Sequence, residues 1–330
     1  MEPTTTARAG DVVRLPPGSR DVLPQEAREL RAISDGLRGV FEAAGFGEVI
    51  TPTLEYSDVL ARGVLGNPSP TYRLIDDRGA WLELRSDMTV PLARVAATRF
   101  HGHDEPLRFW YTQTAFRPVP ALQGRSREVQ QCGVELFGVP GYGGDREVLG
   151  LAARSLDATG LPDARIVVGD ARLSATVLES AGVDAEAITA AHDALFAGDL
   201  VTLEGILLEA GLTEDRVRAL GALLRTRGDA SVLDAHADAF GTPGRELAET
   251  LSSLTTSEKE RVIVDIGLVR DLDYYSGLVF EVVHPAIGEP IGGGGRYDGL
   301  VGKFGDDRPA VGFALNVDAV HRAQMLGATA

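Results

Sequence analysis

One cysteine, Cys132, is all the thiol that 330 residues contain. A disulfide framework and any multi-cysteine zinc or iron–sulfur site are thereby excluded. Uninterrupted apolar runs are short as well. None approaches the roughly eighteen residues that a membrane-spanning helix needs. Met1 to Gly10 hold a lone Arg8 and no apolar run, so no secretory leader is read there and a cytoplasmic protein is expected. Repeats at solenoid period and low-complexity tracts are also missing. Positive charge is in deficit: 32 Lys and Arg against 48 Asp and Glu leave a net charge of −16. A surface of that sign repels phosphate backbones and anionic lipid, so neither nucleic acid nor membrane is an expected partner.

What is present reads as an ordinary folded protein, with 44% hydrophobic and 24% charged residues. A chain of 35.0 kDa buries roughly 74% of its unfolded surface on folding, enough to need no covalent staple. After a tail over residues 1–14, Leu30, Ile33, Leu37, Val40, Phe41 and Ala44 recur at helical spacing, with Asp21 or Ser19 as cap and Gly45 as stop. Strands are expected at 48–50, 81–84, 107–112, 128–137 and 166–168, with a helix from Asp145 to Gly160. From 171 to 259 the chain turns Ala-, Leu- and Glu-rich with helical periodicity. Strand patterns return at 262–264, 278–283 and 310–315. Strands on both sides of a helical block predict an α+β core, 15–170 plus 260–330, carrying a helical insertion at 171–259.

Four groups of residues invite a chemical reading. The run Gly292-Gly293-Gly294-Gly295-Arg296-Tyr297-Asp298-Gly299 lacks the spacing of a P-loop or of GxGxxG, and reads as a hairpin or binding loop needing positive φ. His101 and His103 have no third ligand nearby in sequence, which favours a surface pair over a metal site. Gln131, Gly133 and Glu135 project from one face of a strand. A carboxylate and an amide carbonyl there suit a ligand ammonium, although spacing alone favours a solvated sheet face. The fourth group, Leu268 to Gly277, packs an arginine, two aspartates and two tyrosines ahead of a strand. Convergent polar groups of this kind suit a small zwitterion.

Leu-Val-Arg-x-Leu-Asp-Tyr-Tyr-Ser-Gly (Leu268–Gly277) and Gly-Gly-Arg-Tyr-Asp-Gly-Leu (Gly294–Leu300) closely resemble the histidine-binding signatures of histidyl-tRNA synthetases. Other segments agree in order. Pro17 to Asp21 is similar to that family's opening, and Phe46 to Tyr56 to class II motif 1, which builds the family's dimer interface. Leu84 to Thr89 resembles a Leu-Arg-Pro-Glu-x-Thr segment, Phe116 to Gly138 motif 2, and Ala310 to Val320 motif 3. The resemblance implies a class II aminoacyl-tRNA synthetase-like antiparallel sheet flanked by helices. It also implies a histidine pocket from Asp87, Thr89, Arg117, Gln131, Glu135, Arg270, Tyr274 and Tyr275, with Asp87 in place of a glutamate.

The departures point away from synthesis. Ala319 stands where the family has an ATP-binding arginine, Val119 replaces a glutamate expected near adenine, and Asp271 replaces a glycine. The sequence ends about ten residues beyond motif 3, so no anticodon-binding domain is expected. Adenylate formation needs positioned cations on the transferring phosphoryl group. A histidine pocket kept while an ATP site erodes resembles the regulatory-subunit family of ATP phosphoribosyltransferase. That resemblance implies a homodimer within a hetero-oligomer with the short-form catalytic subunit, L-histidine as feedback ligand, and no catalytic residue, metal or cofactor of its own. The alternatives are a minimal histidine-activating synthetase and a synthetase-like paralogue with another partner.

Overall fold

Alternation along the strands sorts the protein into two unlike faces. The computed structural model describes residues 15–63, 70–118, 126–269 and 274–327. The chain begins with α1 (Pro24–Ala43), β1 (Gly47–Glu48), β2 (Leu54–Tyr56), α2 (Ser57–Gly63), β3 (Arg73–Ile75), β4 (Trp81–Leu84) and α3 (Thr89–Arg99). It continues through β5 (Leu107–Phe116), β6 (Glu128–Phe137), α4 (Gly141–Ala158) and β7 (Arg165–Asp170). Next come α5 (Leu173–Ser180), α6 (Ala185–Ala197), α7 (Leu200–Glu209), α8 (Glu214–Leu224) and β8 (Arg227–Gly228). The rest is α9 (Ser231–Ala235), α10 (Ala237–Ser252), α11 (Thr256–Lys259), β9 (Val262–Asp265), β10 (Leu278–Val283), β11 (Gly292–Arg296), β12 (Ala310–Asn316) and α12 (Val317–Gly327).

Nine strands form the main sheet in the order β1-β5-β6-β12-β11-β10-β7-β9-β8. The central pairings are antiparallel. Parallel pairs lie toward the edges, β1 with β5 and β7 with β9. One register row runs Trp110, Val134, Phe313, Gly294, Phe280, Val168. It faces the major core, where Leu30, Ile33, Leu37 and Phe41 of α1 meet α4 and α12. Gly294 has no side chain there, so the Phe280 and Phe313 rings meet across it with centroids 6.2 Å apart. The neighbouring row points the opposite way and runs Phe109, Glu135, Gly312, Gly295, Val279, Gly169. A second apolar cluster from α3, Phe109, Tyr111, Phe137 and Tyr297 covers part of that face.

Two sequence expectations are corrected. Neither Asp21 nor Ser19 caps α1: the N-cap is Leu23, without a side-chain bond, and Pro24 opens the helix. Proline's missing N–H costs nothing at this position, where the donor has no intrahelical acceptor. Gly45, at φ 82°, does end the helix. The four glycines from Gly292 are no left-handed loop. They form strand β11 between β10 and β12, and in that run only Gly299 has a positive φ, 87°.

The segment expected to be helical contains α5 to α11 and also β8, which pairs antiparallel with β9 at Arg227–Asp265 and Gly228–Val264. Asp184 and Asp199 cap α6 and α7 through bonds from Ala187 and Thr202 N–H, and Gly198 (φ 67°) turns the chain between them. Outside the main sheet, β2, β4 and β3 form a three-stranded sheet whose Leu54, Tyr56 and Leu74 share one exposed face. Among the described residues no helix is long and apolar enough to cross a membrane.

Candidate functional site

On the sheet face away from the major core, Glu135 is only 1% exposed. The solvated-face reading of β6 therefore does not hold at this residue. Thr89, the first residue of α3, donates to Glu135 Oε1 at 2.9 Å, and the Tyr297 hydroxyl donates to Oε2. Burial lifts the Glu135 carboxyl to about 8. The two hydroxyl donors pull the other way, and the nearby Asp87 charge adds to the rise. Burial thus favours the protonated form of Glu135 at neutral pH, and a cation placed beside it would favour the charged one.

Backbone forms the floor beside this carboxyl. A Cβ on Gly312 would lie 1.8 Å from Glu135 Oε2 and 2.5 Å from the Val134 carbonyl. On Gly133 it would sit 2.3 Å from the Phe313 carbonyl and 2.8 Å from the Tyr111 hydroxyl. On Gly295 it would strike the Leu278 carbonyl at 2.3 Å and the Tyr275 ring at 2.8 Å. Three adjacent strands are stripped to backbone here, and the Glu135 carboxyl, the Tyr111 hydroxyl and the Tyr275 ring lie directly against it. The Tyr274 ring lies tilted against Tyr275, centroids 5.0 Å apart, and edge-on to Tyr297 at 5.8 Å. Burial holds the Tyr111, Tyr274 and Tyr297 hydroxyls well above the usual phenol range, so all three stay protonated donors.

Two rows along β6, on the same face, Gln131 pairs in register with Gln113 and Asn316. Gln113 is occupied by Thr51, accepting from its N–H and Oγ1. Asn316 caps α12 by accepting from Ala319 N–H at 3.1 Å. The Gln131 carbonyl oxygen, by contrast, is buried and has no hydrogen-bond donor. A buried acceptor without a donor carries a desolvation penalty of about 1–3 kcal/mol, which a ligand N–H would relieve.

The remaining sequence candidates lie further out. Asp87 accepts from Val90 N–H at 3.0 Å and so fixes the start of α3 that presents Thr89. Arg117 is exposed just past β5, its Nε donating to the Ser86 carbonyl at 2.9 Å. Arg270, Asp271 and Val119 lie outside the described residues. Tyr297 and Tyr111 were not anticipated. Tyr297 stands inside the Gly-Gly-Arg-Tyr-Asp-Gly string, and Tyr111 shares a register row with Gly133.

Arg296 locks the site from below. Its guanidinium bonds Asp145 Oδ1 at 2.8 Å, Asp298 Oδ1 at 3.0 Å and the Gly141 carbonyl at 2.8 Å. Its own carbonyl accepts from Ser276 N–H, which ties the tyrosine segment to the start of α4. Elsewhere, burial pushes the Cys132 thiol up to about 12, a value foreign to nucleophilic cysteines. His101 pairs with Asp306 at 2.8 Å on the surface. Among the described residues no cluster of three His, Cys, Asp or Glu is arranged to hold a metal.

A mixed sheet with an antiparallel centre, a glycine floor, a buried carboxylate and an aromatic wall is the class II synthetase-like fold of the histidyl type. Residues 18–320 match the family model described as histidyl-tRNA synthetase. An ATP phosphoribosyltransferase regulatory subunit from Symbiobacterium thermophilum is 41% identical, over 94% of this chain and 80% of that protein. One from Moorella thermoacetica is 38% identical, over 93% and 80%. A solved structure described as an ATP phosphoribosyltransferase regulatory subunit/histidyl-tRNA synthetase from Bacillus halodurans C superposes with a TM-score of 0.86. It shares 29% identity and covers 94% of this chain and 83% of that one. The chain belongs to the family of ATP phosphoribosyltransferase regulatory subunits, built on the histidyl-tRNA synthetase fold.

Proposed function

We propose that this chain is the histidine-sensing, non-catalytic partner of a short-form ATP phosphoribosyltransferase, acting in the cytoplasm at the first step of histidine biosynthesis. The observation that carries the sensing role is the pair of buried acceptors on one strand face. Glu135 is buried and accepts from the Thr89 and Tyr297 hydroxyls, and the Gln131 carbonyl has no donor. Histidine offers an ammonium and an imidazole N–H to such a pair, with Tyr274 and Tyr275 as the aromatic wall. Asp87 and Thr89 set the α3 end, and the family resemblance offers Arg117 and Arg270 for the carboxylate. The site needs no metal or cofactor for this task.

Activation chemistry is disfavoured by the motif 3 position. Ala319 is fully buried in the major core between Val317 and Val320, and supplies no charge for a triphosphate. The enzyme alternative is tested directly: histidine-dependent exchange of pyrophosphate into ATP is expected at background. Robust exchange by purified chain, free of contaminating synthetase, would promote that alternative.

The domain division follows the same reading, with residues 15–170 and 260–330 as sensing core and 171–259 as the inserted domain. Homodimerisation through motif 1 is supported by the apolar face of Leu54, Tyr56 and Leu74, which is left open in one chain. Feedback then requires histidine to bind a low-activity assembly better than the active one. Typical couplings of about 1–3 kcal/mol change relative affinity about 5–150-fold.

Histidine at a hundred times its dissociation constant is expected to stabilise the protein by about 2.7 kcal/mol. Glu135→Gln keeps the shape of the side chain but cannot ionise, so it should lose the thermal shift without lowering the ligand-free Tm. Because the wild-type carboxyl must shed its proton to face the ammonium, binding should release a proton below about pH 8. Affinity should therefore rise with pH up to that value and level off above it. Calorimetry in buffers of different ionisation enthalpy measures the proton. An undiminished shift in the glutamine variant would move the binding site elsewhere.

A further inference from the structure

The outward side of α6 and α7 combines exposed apolar surface with charge of one sign. Val201 is 82% exposed and Leu208 45% exposed. Seven residues apart on one helix, they lie within about 20° of the same face. Between them Gly205 has open space where a Cβ would stand. Leu203 and Leu207 point the opposite way, into the core. Phe196, 52% exposed, ends α6 just before the Gly198 turn into α7. The apolar side chains on this outer side are therefore surplus to the helical packing.

On α6 and α7 themselves the charge is entirely negative, and the nearest arginines in sequence, Arg172 and Arg216, lie outside both helices. From Leu173 to Asp215 the sequence has nine Asp and Glu and neither Lys nor Arg. Asp193, Asp199, Glu204 and Glu209 flank the apolar residues along the two helices. A face of this sign repels nucleic acid and anionic membrane. A second copy of the same face would set these four carboxylates against four more, which opposes self-association there. The complement that remains is a protein surface apolar at its centre and cationic at its rim.

We infer that the α6–α7 face is a docking surface for a protein partner that presents an apolar patch ringed by Arg or Lys. This rests on the regulatory reading, under which the phosphoribosyltransferase catalytic subunit is that partner. The charged rim steers the encounter, and Phe196, Val201 and Leu208 supply the desolvated centre.

The test titrates the full chain against the short-form catalytic subunit, by sedimentation and calorimetry at low and moderate salt. Two variants accompany it, Val201→Asp with Leu208→Asp, and Glu204→Lys with Glu209→Lys. All four positions are exposed, so both variants should melt like wild type by circular dichroism. The aspartate pair should raise the dissociation constant at least tenfold. The lysine pair should weaken binding at low salt and flatten its salt dependence. If either unfolds, the other still decides. Wild-type affinity in both variants overturns the docking face while leaving the regulatory reading intact. Loss of this chain's own oligomer with hetero-assembly unchanged also overturns it, in favour of a second copy as occupant. Failure of the wild-type chain to bind the catalytic subunit overturns the partner assignment and the regulatory reading together.

Discussion

Arg296→Leu is expected to lose about 3–5 kcal/mol of stability at pH 8, the usual result of stripping one partner from a buried ion pair. Arg296 is buried, and so is Asp145, whose carboxyl burial has already raised to about 6. The guanidinium is the main force holding that value down. Without it the folded carboxyl keeps its proton to still higher pH, while the unfolded one releases it near 3.8. Wild-type stability from this group falls as pH rises from 3.8 to about 6 and then levels off. In the variant the decline continues above 6, at up to about 1.4 kcal/mol per unit. At pH 5 both proteins carry the proton. There the loss should shrink to about 1–2 kcal/mol, from the bonds to the Gly141 and Val139 carbonyls. Urea melts at pH 5 and pH 8 compare the two, and equal losses would contradict the assignment.

Gly312→Ala is expected to cost about 3 kcal/mol, at the upper end of overpacking, because the obstructing atoms belong to backbone and a pinned carboxylate. The new Cβ meets Glu135 Oε2 at 1.8 Å and the Val134 carbonyl at 2.5 Å. Neither can yield without breaking the β6–β12 ladder or the bonds from Thr89 and Tyr297 to Glu135. The histidine-induced shift should vanish with it, since the displaced carboxylate fills the pocket. Gly39→Ala is the control. It lies inside α1, with nothing within 4 Å of a new Cβ, and should stabilise by about 0.5–1 kcal/mol. Guanidinium titrations with unchanged m-values would show that both substitutions change stability without changing the compactness of either state.

Where side chains write the pattern, sequence and structure agree closely. β4, β6 and β10 occupy the expected residues, because Trp81–Leu84, Glu128–Phe137 and Leu278–Val283 carry strand-forming side chains. β11 was misread because glycines carry no alternation, and its extended form is imposed by β10 and β12 on either side. β2, β3 and β8 are two or three residues long, too short for periodicity to register. The α1 cap misled for another reason: polar residues before a helix advertise a start, yet proline at the first position had the stronger hold. At the site, the shared face of Gln131 and Glu135 was visible from strand spacing alone. Tyr274 and Tyr275 stood out as paired tyrosines in a charged segment ahead of a strand, whereas Thr89 came only through family resemblance. Tyr111 and Tyr297 join Glu135 through strand register, a property of pairings over long separations that no local window contains.

The glycine strand has a further consequence for order in the ligand-free protein. Each glycine gives up more backbone freedom on becoming extended than another residue would, about 0.5–1 kcal/mol relative to alanine. Four in succession, from Gly292 to Gly295, put roughly 2–4 kcal/mol of that burden on one strand at the centre of the sheet. No side chain of these four clamps the strand in place. Its amides should therefore exchange with solvent deuterium sooner than those of β6, through local opening well short of global unfolding. A ligand seated on this backbone would close the opening from outside, so occupancy should be legible as slowed exchange at β11, far from any change in overall shape.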